Sequence, residues 1–152
     1  MKKIFVNLFE GMLSTSVVAK VISVDKAKDL CDVIPVNEGS EILDVQLKVD
    51  NGKKKGHILY PKIGSLVIVA PIDNSRSSYY VAMFSEVSEI YHEIDSSKLV
   101  LDKDGITISK GSDNLNKILN ELVEQMLKIY APKDVPGLIK LKLKINNLLN
   151  DA

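Results

Sequence analysis

The chain has 152 residues, with twenty Lys+Arg against twenty Asp+Glu, 45% apolar residues, one cysteine and no tryptophan. The balanced charge excludes the basic footprint of a protein that neutralises many phosphates, and the lone Cys31 excludes an internal disulfide or a multi-cysteine metal cluster. The length suits one substantial core with an appendage better than two full domains.

MKKIFVNLFEGML reads as a short amphipathic helix or arm over residues 1–13, because Asn7 and Glu10 interrupt its apolar run and no small-residue cleavage site follows. No stretch approaches the ~20 apolar residues that cross a bilayer, so a soluble chain without stable membrane insertion is expected.

From Ser14 to about Ser109 the apolar residues mostly alternate, between breaks rich in Gly, Asn, Asp, Lys and Ser, which is a β pattern. STSVVAKVISVD is apolar on both faces, with Val18, Lys20, Ile22 and Val24 on one and Val17, Ala19, Val21 and Ser23 on the other. KDLCDVIPV supplies a second strand. LDVQLKV supplies a third, whose alternation points Leu43, Val45, Leu47 and Val49 inward and leaves Asp44, Gln46 and Lys48 in solvent. DNGKKKG is the expected hairpin, with Lys53 to Lys55 at a solvated tip. HILYPKIGSLVIVAPID then gives a short strand, a structural turn at Pro61, Gly64 and Ser65, and a strand over 66–70, and YYVAMF closes the set. So many short strands in so little chain predict a small OB-type antiparallel β-barrel within residues 14–95.

SEVSEIYHEI reads as a helical turn or an irregular strand. KLVLDKDGITIS is a β-hairpin, placed at 96–110 as a spike-base element, with Gly105 supplying the positive φ of its turn. Beyond Gly111 the period becomes helical. Leu115, Ile118, Leu122, Met126 and Ile129 form a wide stripe with Leu119 and Val123, capped by Ser112 or Asp113 and ended by Pro132. LIKLKLKINNLL fits both a strand and a helix. Leu138, Leu141, Ile145 and Leu148 have heptad-like spacing, and Asn146-Asn147-Leu148-Leu149 continues only the helix. The predicted fold is thus mainly β with an α-helical tail, a C-terminal helical hairpin over 111–152, and an apolar seam with more surface than the barrel covers, a candidate assembly interface.

The chemistry-bearing residues are sparse. His57 and His92 are thirty-five positions apart without metal-ligand spacing, so surface or structural histidines are expected and no metal or cofactor. Asp25, Asp29, Asp32, Asp102 and Asp104 sit where turns recruit Asp. Ser65 lacks a nucleophile-elbow setting and GKKKG is no phosphate loop, so no catalytic residue is assigned and no enzyme is expected. Tyr79, Tyr80 and Phe84 raise an alternative, a single-stranded nucleic-acid-binding OB-fold, which the absence of a basic groove disfavours.

The succession VISVDKAKDLCDVIPV, EILDVQLKV, YPKIGSLVIVAP, YYVAMFSEVSEI and KLVLDKDGITIS resembles the baseplate hub and spike proteins of contractile phage tails and related injection machines. LNKILNELVEQMLKIYAP and LIKLKLKINNLLN resemble the helical tails of small baseplate assembly proteins. The resemblance implies an OB-type barrel followed by a β element that begins a trimeric spike. It also implies a homotrimer, a β-prism built from three hairpins, contacts with tube, hub or spike subunits, no nucleic-acid ligand, and a place in the virion tail after assembly in the host cytoplasm. This chain departs from such proteins in lacking a lysozyme-like segment, a His-x-His tip and a long β-helix, so a hub, adaptor or spike base is expected rather than a piercing point.

Overall fold

The computed structural model describes residues 15–37, 39–49, 56–72, 77–129 and 134–150. The expected N-terminal helix, the Lys53 to Lys55 tip and Pro132 lie outside them. Two compact units form: the first holds the described residues up to 49 together with 58–88, the second holds 56–57 and 89–150.

In the first unit β1 (Val17–Asp25), β2 (Leu30–Pro35), β3 (Ile42–Gln46), β5 (Leu66–Pro71) and β6 (Tyr79–Phe84) close a barrel in the order β1-β2-β3-β6-β5, with β5 returning to β1. This is the five-stranded OB-type arrangement. The pairings are antiparallel except β3 with β6, which run parallel and meet at Gln46 and Tyr80. Valines dominate the interior. Ala19, Val21, Cys31, Val33, Val45, Val67, Val69 and Val81 are buried together, as expected for β-branched side chains filling a narrow cylinder.

Strict alternation fails at three irregularities, one of them at Ala82, where β6 gains a residue over β5. Between Val21 and Ser23, β1 gains a residue over β2, so Val24 returns to the core side and joins Val17 against the interior, while Val18 and Ile22 face out. In β3 the register shifts between Cys31 and Val33, and Asp44 takes a positive φ of 55°. Ile42 and Val45 therefore reach the core, Leu43 points outward and Val49 is 98% exposed. The predicted inward row Leu43, Val45, Leu47, Val49 is thus corrected to Ile42, Val45 and Leu47, because the extra residue between Ile42 and Val45 turns Ile42 rather than Leu43 inward and Val49 lies beyond the end of β3.

Lys48, predicted to face solvent, is half-buried and its ammonium lies 3.3 Å from the Asp29 carboxylate. Asp29 is 2% exposed, has φ +57°, and accepts a 2.6 Å hydrogen bond from the Tyr60 hydroxyl. Its carbonyl also accepts from the Leu47 N–H at 3.0 Å. Asp29 is therefore a buried acceptor that joins the β1–β2 turn to two other segments, whereas Asp25 caps that turn by accepting from Ala27 N–H at 2.9 Å and Asp32 accepts from Ser23 Oγ at 2.6 Å.

The Pro61 to Ser65 turn lies between β4 (Gly56–Pro61) and β5. Pro61 is among the fully buried side chains, and Gly64 has φ +88°, which a side chain rarely adopts. The Gly64 N–H donates to Val21 O at 2.9 Å and the Val21 N–H to Ser65 O at 3.0 Å, so the turn continues the β1–β5 seam.

In the second unit β7 (Val87–Ile94), β8 (Ser97–Asp102), β9 (Ile106–Lys110) and β10 (Asp113–Asn114) form a sheet in the order β10-β9-β8-β7-β4. Residues 87–94, expected as a helical turn or irregular strand of the barrel region, are a regular strand in full antiparallel register with β8. The 98–109 hairpin forms as predicted, with Asp102 Oδ1 accepting from the Asp104 and Gly105 N–H groups at 2.9 and 3.1 Å. Gly105 has φ +148°, and a Cβ there would lie 2.8 Å from Leu148 O. It serves both the turn and the close passage of the C-terminal segment, where Leu149 bridges Ile106 and the Asn150 N–H donates to Ile106 O at 2.9 Å.

Two helices follow, α1 (Leu115–Lys128) and α2 (Val135–Leu148), so the ambiguous last segment is helical. The α1 cap is Asn114 rather than Ser112 or Asp113. Its side-chain oxygen accepts from Asn116 N–H at 2.7 Å and Lys117 N–H at 3.4 Å, because 113–114 are held in β10 against β9. The Asp134 carboxylate caps α2 by accepting from Gly137 N–H at 2.8 Å.

Three outcomes are expected. Asp29→Asn, which keeps the acceptor and tolerates the left-handed backbone but removes the charge opposite Lys48, lowers stability by about 3 kcal/mol in urea unfolding. Gly105→Ala lowers it by roughly 2 kcal/mol or more, from strain and the collision with Leu148 O. Burial, reinforced by Asp32, pushes the Cys31 thiol up to about 12. Between the ordinary thiol range and that value the folded state keeps a proton the unfolded chain has lost. The contribution is therefore complete below the ordinary range and fades as pH rises, so from about pH 8 to about pH 11 the wild type loses more stability than Cys31→Val.

Candidate assembly face

The alternation of the second-unit sheet places its apolar residues on the open side. Register aligns Ile90 with Leu101, His92 with Leu99, Leu99 with Ile108, and Leu101 with Ile106. On this face Leu99, Leu101 and Ile108 are exposed and Ile94 is 60% exposed. The residues between them face the other way, and there Tyr91 and Thr107 are buried and Val100 is half-buried. A sheet that packs Tyr91, Val100 and Thr107 on one side and still exposes a row of leucine and isoleucine on the other leaves an apolar face uncovered.

The helix beside it extends the same surface. Leu115 and Ile118 line a groove of about 440 Å³ with His92, Ile94, Leu99 and Ile108. Further along α1, Leu122 and Met126 are exposed, and Ile129 at its C-cap is 63% exposed. The broad predicted stripe thus divides. Val123 is buried and Leu119 and Leu127 are half-buried, while Ile118, Leu122, Met126 and Ile129 run outward at spacings of four and three. Of the α2 positions in the predicted interface, Leu138 and Ile145 are half-buried and Leu141 and Leu148 exposed.

Polar contacts hold the helical hairpin and leave the outer stripe free. Asn120 Nδ2 donates to Asn146 Oδ1 at 2.6 Å, and Lys142 Nζ lies 2.7 Å from Glu124 Oε1. That ammonium holds the Glu124 carboxyl below its usual range.

The first unit carries a smaller apolar row. Val18 pairs with Ile68 and Ile68 with Met83 on the outside of β1, β5 and β6, with Val18 and Met83 exposed. Of the aromatic trio considered for base stacking, Tyr79 and Phe84 pack against the barrel core and Tyr80 is exposed.

Catalytic and metal chemistry is thin. Among the described residues no three His, Cys, Asp or Glu side chains converge. Cys31 is buried with its thiol held protonated. The structure brings together His57 and His92, whose ring centres are 5.6 Å apart at a 59° tilt. Pairing between β4 and β7 causes this, and no local spacing in the sequence signals it. Among the described residues no helix is long and apolar enough to cross a membrane. Comparison of the chain with protein-family models, curated proteins and solved structures finds no match.

Proposed function

We propose that this chain is a structural component of a phage tail or tail-like baseplate, a hub, adaptor or spike base that works by protein–protein assembly as a homotrimer and catalyses no reaction. The observation that carries this reading is the uncovered apolar side of the β7–β9 sheet, whose leucine and isoleucine row lies exposed. Ile94, Leu99, Leu101 and Ile108 with Ile118, Leu122, Met126 and Ile129 expose on the order of 700 Å² of apolar side chain. That is close to the ~800 Å² each partner contributes to a standard interface, and more than a monomer ordinarily leaves open.

A second copy suits the surface. The outward stripe on α1 repeats with near-heptad spacing, and such a seam is complementary to itself. The groove beside it is rimmed by Lys110 and Asp113, charges of both signs that a rotated copy can pair. The OB-type barrel followed by a hairpin sheet and helices is the order of parts that the sequence resemblance implies, and that resemblance supplies the number three and the virion location. The nucleic-acid alternative draws little support, because two of its three aromatic candidates pack against the barrel core.

Sedimentation equilibrium at micromolar concentration is expected to give three times the chain mass. Leu99→Glu with Ile118→Glu reduces it to the single-chain mass with circular dichroism unchanged. A wild-type monomer would overturn the trimer, and salt-sensitive binding to a labelled oligonucleotide would favour the alternative. Immunogold labelling of tail particles from the encoding organism is expected at the tail end; label absent from particles would reject the baseplate assignment.

A further inference from the structure

We propose that His57 and His92 form a two-imidazole chelate for a divalent transition-metal ion, of the zinc, nickel or copper class, on the open face of the second-unit sheet. The two rings come from neighbouring strands, β4 and β7, and their centres are 5.6 Å apart with a 59° tilt. An imidazole nitrogen binds zinc at about 2.0–2.1 Å and the ring centre lies about 1.1 Å behind it. Two rings sharing one tetrahedral ion therefore have centres on the order of 5.2 Å apart. The observed separation is within about 0.4 Å of that value.

The surroundings select the class of ion. On this face His92 lies opposite Leu99, and its β7 neighbours of the same parity are Ile90 and Ile94. Glu89 and Glu93 alternate to the other side, so β7 brings no carboxylate beside the imidazoles. A nitrogen donor pair without oxygen partners suits borderline metals and disfavours magnesium and calcium, which demand oxygen shells. Water completes the coordination in the single chain. The ion ties β4, the terminal strand in the sheet order, to its neighbour, a place where a sheet has least support. The chain has two histidines in all, so a histidine-dependent metal signal has this one origin within a single copy.

Isothermal titration of the tag-free chain with zinc and with nickel chloride tests the inference, whether or not the chain assembles. One ion per chain is expected, with affinity falling by about tenfold or more in His57→Ala and in His92→Ala, and with no response to magnesium. Zinc raises the thermal midpoint of the wild type and not of the double variant. Substoichiometric copper selectively broadens the NMR signals of both imidazoles, a readout that needs no variant. Absence of saturable binding, unchanged affinity in the double variant, or broadening of one imidazole alone overturns the chelate and leaves a tilted ring contact.

Discussion

The first unit depends on β1 pairing along both of its edges. Its residues 17–20 run against β5, and residues 19–25 run against β2, so one strand must turn from one neighbour to the other within a few positions. The extra residue between Val21 and Ser23 supplies the bend, and the Lys62 to Ser65 turn supplies the last bonds of the β1–β5 seam through the backbone of Val21. Gly64 is required there for its backbone conformation: a Cβ would have room, with Lys20 the nearest side chain at 4.0 Å, but φ +88° would strain it. The turn before the strand 66–70 thus closes the cylinder.

A barrel closed in this way also determines where polarity is tolerated inside it. Asp29 and Lys48 are both withdrawn from solvent, a costly arrangement unless charge and hydrogen bonds are matched. Here the carboxylate takes the lysine and the Tyr60 hydroxyl, and the Asp29 carbonyl takes Leu47 N–H. Tyr60 can reach because it is fully buried on β4, directly before Pro61. The segment that delivers the closing turn therefore also delivers the hydroxyl that helps to satisfy the buried pair.

Much of this was legible in the chain, and the failures share a physical origin. Short-range patterns announced the strands, the 98–109 hairpin, the helical period after Gly111 and the positive φ of Gly105, because each is encoded within a few residues. The inward row of β3 was misread because a bulge leaves no mark on the alternation that precedes it. Asn114 was missed as a helix cap because β10 decides which residue leaves the sheet last. The Asp29–Tyr60 contact spans 31 positions and Asp29–Lys48 spans 19, and the His57–His92 contact likewise arises from strand pairing, so no local spacing could reveal them. Of the candidate face, the α1 stripe was visible and its division into a packed and an outward row was not, since that depends on which side α2 occupies.

The outward row of α1 and the uncovered sheet face belong together when set against the charge of the molecule. With equal numbers of acidic and basic side chains there is no net charge to steer a partner from a distance, so the assembly proposed for this face would rest on short-range apolar contact and shape. Leucine and isoleucine on β8 and β9 offer a flat row, and α1 raises a ridge along one side of it through Leu115 and Ile118. A flat surface alone binds many things poorly. A flat surface with a ridge whose side chains recur at three and four positions would accept the proposed partner in few registers, and Lys110 and Asp113 at its rim would penalise misaligned ones. On the proposed reading, an exposed apolar sheet face, which in a solitary domain would be an error of patterning, is the feature that favours a defined assembly over the isolated chain.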